Sequence, residues 1–181
     1  MTEADQNQNE GPIAEYTALR SEITTRISLQ HQVIALHLTA VSVVFSVALS
    51  GSDRWSILLV IPFISYASSE ILASLFRTIE GIAKYIEEVL SPRVTGGLGW
   101  ESWLAQNRPN NEAQRITHPY YLLFSGTSAV SLIATVVFIL ASADSTRQLN
   151  ASFWAAVAAW PLAAGVTVLS FRAIRQLRAP F

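Results

Sequence analysis

Cysteine is absent from the 181 residues. Disulfides, thiol nucleophiles, thiolate metal sites and S-palmitoylation are therefore excluded in one step. Charge is scarce as well. Asp, Glu, Lys and Arg make up 14% of the chain, against about a quarter in soluble domains. A net charge of -1 offers no basic surface for nucleic acid and no bias toward an anionic substrate. The start of the chain also lacks the basic region and apolar core of a secretory signal. Residues 1–30 are polar and carry Glu3, Asp5, Glu10, Glu15 and Glu22, so the first apolar block is expected to stay in the mature protein.

Catalytic signatures are missing too. No HExxH pair, phosphate-binding glycine loop or paired-aspartate motif occurs. His31, His37 and His118 lack metal-ligand spacing. The "GTSA" at residues 126–129 has the look of an intramembrane serine-protease loop, but the partner histidine and the further spans of such enzymes are wanting. No enzyme, cofactor or metal is expected.

What the chain has is apolar residues, 51% of the total, with a mean hydropathy of +0.35. They gather into blocks. Crossing a bilayer takes about 20 mostly apolar helical residues, and residues 32–50, 55–76, 119–142 and 152–171 meet that demand. Only "GSDR" separates the first two blocks and "ADSTRQLN" the last two. The expected fold is an all-α integral membrane protein of four transmembrane helices in two hairpins, a four-helix bundle with its first two helices extended into the cytoplasm. Residues 1–11 read as a disordered polar start and 12–91 as a long helical hairpin. Residues 92–118 read as a loop, 119–171 as a second hairpin and 172–181 as a basic tail.

Orientation follows from the basic residues, which stay on the cytoplasmic side of short loops. Arg20, Arg26, Arg77, Lys84, Arg93, Arg108, Arg115, Arg172, Arg175 and Arg178 flank one side; Arg54 and Arg147 flank the other. Both termini are expected in the cytoplasm of a multi-pass cell-membrane protein. Trp55, Trp154, Tyr120 and Tyr121 near span ends suit the interface.

Beyond the spans, two apolar stripes run at helical spacing. Tyr16, Leu19, Ile23, Ile27, Gln30 and Ile34 mark the first; Leu72, Leu75, Phe76, Ile79, Ile82 and Ile86 mark the second. They pack on each other as an antiparallel coiled pair, on sister copies, or on another protein. In the middle loop, Trp100, Trp103 and Leu104 share one face of a short helix that lies in the interface or packs under the bundle.

Glu70 lies about six residues, or roughly 9 Å, inside its span. An ionisable group there suggests a function by default; the alternative is a shallow carboxylate paired with Arg77. His37 matches its depth but not its face. Glu70, beside Phe63, Tyr66 and Ser74, instead faces the third and fourth helices, where Ser125, Thr127, Ser128 and Ser131 could donate hydrogen bonds. Ala155, Ala159 and Ala163 permit close helix approach, and Pro62 and Pro161 are expected to kink their helices.

In layout the chain is similar to small prokaryotic membrane proteins with four spans and cytoplasmic helical extensions, the SLATT-like effectors among them. That resemblance covers architecture, carries over no residue, and implies a membrane-perturbing effector. Two functions are therefore expected. One is a non-enzymatic membrane protein that homo-oligomerises or scaffolds a cytoplasmic partner. The other is an oligomeric ion channel or pore with Glu70 in its pathway.

Overall fold

The computed structural model describes residues 3–51, 54–94, 97–99, 103, 106–107, 119–143 and 151–176. Among these the protein is all-helical, with no strand. Four long helices carry it: α1 (Glu3–Leu49), α2 (Ile61–Tyr85), α3 (Thr127–Ala143) and α4 (Ala151–Gln176). Three helical runs are long and apolar enough to cross a membrane, Glu10–Leu49, Trp55–Arg93 and Tyr121–Leu140. The fourth expected span falls on α4, whose described apolar stretch is Val157–Arg172.

No glycine or proline interrupts residues 13–50, so α1 propagates one hydrogen bond per residue fixed. It also reaches back to Glu3 through Pro12, over residues expected to be disordered. Pro12 removes a single donor, and residues 3–10 contain neither glycine nor proline to break the helix. At the other end, Ser50 Oγ donates to the Val47 carbonyl at 2.8 Å and Arg54 N–H to Gly51 at 3.2 Å. The helix ends there.

A 3-10 turn, Trp55–Val60, leads into α2. Pro62 therefore sits in the first turn of α2, where its missing N–H has no intrahelical partner to lose; it opens the helix rather than bending its middle. α4 runs on through Pro161. After Tyr85 the helix relaxes through a π turn, Ile86–Leu90, and a 3-10 turn, Ser91–Arg93. Gly97, at φ +71°, supplies the left-handed residue of the turn that follows. Leu98 N–H then donates to Ser91 Oγ at 3.0 Å. Trp103 is exposed; Trp100, Leu104 and most of the loop, with residues 144–150 and 177–181, lie outside the described residues.

The chain forms two compact units, residues 1–31 with 74–112 and residues 32–73 with 113–181. In the first, Ile23, Ile86 and Leu90 form a buried cluster with Tyr16, Leu19, Ile79, Ile82, Tyr85 and Leu98 packed around it. The two stripes thus pack on each other within one chain. Ile27 does not join them and stays 42% exposed. The buried positions on α1 are Ile23, Gln30, His37, Val41 and Ala48; the first three step by seven residues and pass over position 27. A seam of period 3.5 drifts from the 3.6 of a straight helix by about 20° per heptad, and Ile27 falls off its edge.

In the second unit, Trp55 and Leu59 pack with Leu132 and Ala163, and Leu58 and Ile61 with Val41 and Ala48. Phe138 touches both groups. Tight turns at Trp55–Val60 thus bring α1, α3 and α4 onto one short segment.

Ile86→Ala is expected to cost about 2–5 kcal/mol, as for a buried aliphatic truncation. Ile27→Ala should stay within about 0.5 kcal/mol, both read by denaturant unfolding of the full chain. Tyr85 gives a pH handle. Its hydroxyl donates to Glu15 at 2.7 Å, and that bond raises its pKa above the ordinary 10.0. A raised folded value means the bond's contribution is complete below 10.0 and fades as pH climbs through the folded value. The stability gap between wild type and Tyr85→Phe should accordingly be present at neutral pH and close in strong alkali.

Candidate functional site

His37 is the polar residue that the second unit buries most distinctively. It lies on the inward seam of α1, 1% exposed. Its Nε2 is 3.4 Å from Thr127 Oγ1, and Ser65 Oγ of α2 is 3.4 Å from the same oxygen. Phe124 closes the other side, with ring centroids 4.7 Å apart and planes tilted by 59°. A π turn over Tyr121–Gly126 delivers both Phe124 and, directly after it, Thr127. The extra residue in a π turn re-aims the side chains on either side of it, and such turns recur at functional sites.

The hydroxyls around this node are occupied locally. Thr127 Oγ1 donates toward its own helix, 2.6 Å from the Leu123 carbonyl and 3.1 Å from that of Phe124. Ser128 donates to Phe124 at 2.9 Å, Ser131 to Ser128 at 2.8 Å and Thr135 to Ser131 at 2.8 Å. On α2, Ser69 donates to the Tyr66 carbonyl at 2.8 Å. Back-bonding of this kind satisfies a buried hydroxyl without a partner helix. His37 has no such recourse. Its Nδ1 is buried with no hydrogen bond, as is the Oγ of half-buried Ser125.

Glu70 is half-buried and, among the described residues, forms no hydrogen bond or ion pair with His37, Arg77 or the α3 hydroxyls. Of the expected donors, Thr127, Ser128 and Ser131 bond carbonyls of their own helix instead. Tyr66 is half-buried, one turn from Glu70 on α2. The structure therefore brings His37 to Thr127, which also meets Ser65, and among the described residues gives it no bond to Glu70. Ser65 and Phe124 were not expected at the site. The seven-residue step through Ile23, Gln30 and His37 would have put His37 on the seam, but nothing in the sequence announces the π turn that supplies Phe124. Among the described residues no group of His, Asp or Glu is arranged to hold a metal ion.

Side-chain chemistry on α3 is inverted relative to a helix in water. Its buried positions include Ser128, Ser131, Leu132 and Thr135, while Val130, Ile133, Val137 and Leu140 are exposed, Leu140 to 66%. Comparison of the chain with protein-family models, with curated proteins and with solved structures finds no match.

Two substitutions separate the node from Glu70. Phe124→Ala should cost about 3–5 kcal/mol, since the ring is fully buried against His37. Glu70→Gln should change the unfolding free energy by less than about 0.5 kcal/mol, because among the described residues Glu70 makes no hydrogen bond or ion pair.

Proposed function

We propose that this is a four-span integral membrane protein with both termini in the cytoplasm, acting without catalysis as a homo-oligomer or a scaffold for cytoplasmic partners. The observation that carries the membrane part is the inversion on α3, where hydroxyls are buried and Val130, Ile133, Val137 and Leu140 are exposed. Each such side chain left in water forfeits about 1.5–3 kcal/mol of burial. In hydrocarbon the preference reverses, and polar groups must turn inward. Leu36, Val43, Leu122 and Leu162 add to the exposed apolar surface. At 1.5 Å per residue α1 is about 70 Å long, more than twice a hydrocarbon core of about 30 Å. That surplus length supports a helix that leaves the bilayer and carries Ile23 into the first unit.

The packing supports assembly. Ile23 and Ile86 close the first unit on itself, which leaves a self-contained helical pair that can present its polar outer faces to a partner.

A second reading, an oligomeric channel or membrane-perturbing pore, draws on Glu70. A half-buried carboxylate with no hydrogen bond or ion pair among the described residues can face a neighbouring subunit or an aqueous path.

The natural lack of cysteine makes topology directly measurable. Single cysteines at Ser50, Glu15 and Arg175 should react with an impermeant maleimide from opposite sides, Ser50→Cys from outside and the other two only after the membrane is opened. Labelling of all three from one side would overturn the topology. For the second reading, liposomes holding the wild type should pass ions and those holding Glu70→Gln should not; equal flux, or none from inserted protein, would remove Glu70 as a pore residue.

A further inference from the structure

We infer that Nδ1 of His37 is a proton-binding site in the interior of the second unit, kept open because Thr127 holds the imidazole in its Nε2–H form. The inference needs only the interior of that unit and stands whichever medium its apolar exterior meets.

The assignment follows from counting protons in the hydrogen-bond network. A threonine hydroxyl has one proton to give and two lone pairs to offer. Thr127 Oγ1 lies 2.6 Å from the Leu123 carbonyl and 3.1 Å from the Phe124 carbonyl. Carbonyl oxygens only accept, so the single proton of Thr127 is spent there. Toward its other two neighbours Thr127 can only accept. Those neighbours are His37 Nε2 and Ser65 Oγ, each at 3.4 Å. Both lone pairs are then filled, by the Ser65 hydroxyl proton and by a proton on Nε2.

A neutral imidazole carries one proton. With Nε2 protonated, Nδ1 is left as the basic nitrogen, with its lone pair in the ring plane. That atom is buried and makes no hydrogen bond among the described residues. A buried acceptor without a donor is uncommon and calls for a ligand. A hydronium ion that reaches it transfers one proton, forms the Nδ1–H bond and leaves as water. The ring becomes an imidazolium with both nitrogens protonated, and Nε2 keeps donating to Thr127. The Phe124 ring, at 4.7 Å, is within the roughly 6 Å over which an aromatic face attracts a cation.

The described residues in contact with His37 are neutral. Ser65, Phe124 and Thr127 carry no charge. α3 has no titratable residue between Thr127 and Ala143. In the second unit the titratable groups on the other described segments are Arg54 before the 3-10 turn, Tyr66 and Glu70 on α2, Tyr120 and Tyr121 at the π turn, and Arg172 and Arg175 on α4. Among the described residues His37 forms no ion pair.

The test is nitrogen-15 NMR of the full chain in lipid nanodiscs with labelled histidine. His37→Gln assigns the signal by its loss; should that variant not fold, His31→Gln and His118→Gln assign it by elimination. At neutral pH the His37 ring should show a protonated Nε2 and an unprotonated Nδ1, and acidification should convert the Nδ1 signal to the protonated type. In Thr127→Val the tautomer should no longer be pure. An Nδ1–H tautomer in the wild type would overturn the inference. So would an Nδ1 that stays unprotonated at about pH 4, where an ordinary imidazole is fully charged. An unchanged pure tautomer in Thr127→Val would remove Thr127 as the residue that sets it.

Discussion

Polar side chains must find hydrogen bonds wherever water is excluded, and the second unit is arranged around that constraint. α3 turns its serines and threonine inward and its branched aliphatic side chains outward. Buried hydroxyls answer to carbonyls one turn back on their own helix, so helix faces can meet without cross-chain polar pairing. Small hydroxyl residues also let helices approach closely. The apolar remainder is left to face whatever surrounds the unit, and hydrocarbon is the medium in which that arrangement lowers free energy.

His37 makes the chemically distinctive site: it meets Thr127, which in turn meets Ser65. The π turn at Tyr121–Gly126 makes that meeting possible by inserting Phe124 against the ring. In the first unit the logic is that of a soluble protein: Ile23, Ile86 and Leu90 bury one another, and ion pairs such as Lys84–Glu88 at 3.8 Å stay at the surface, where they contribute little. Long uninterrupted helices allow one chain to hold both kinds of packing.

Much of this was legible in the sequence because hydropathy and length are one-dimensional signals. The apolar blocks and the helical character of the described residues follow from spacing, and the packing of the stripes on each other at Ile23 and Ile86 was one of three arrangements that spacing allowed. Ile27 did not, because a helical stripe and a seven-residue seam agree for two turns and then part. The role of Pro62 depended on a 3-10 turn that no residue type announces. His37 and Thr127 stand 90 positions apart, and their contact rests on the register of a π turn. Glu70 drew notice for its charge, yet it has no hydrogen bond or ion pair among the described residues. Charge marks an expensive residue; only packing says what it touches.

The central claim is that the exposed face of α3 lies in hydrocarbon. Spin labels placed singly along residues 128–140 of the chain in lipid bilayers would test it through their accessibility to oxygen and to a water-soluble nickel complex. Oxygen accessibility should peak at positions 130, 133, 137 and 140, with the nickel complex excluded from all of them. Strong nickel accessibility at those same positions would place the face in water and contradict the account.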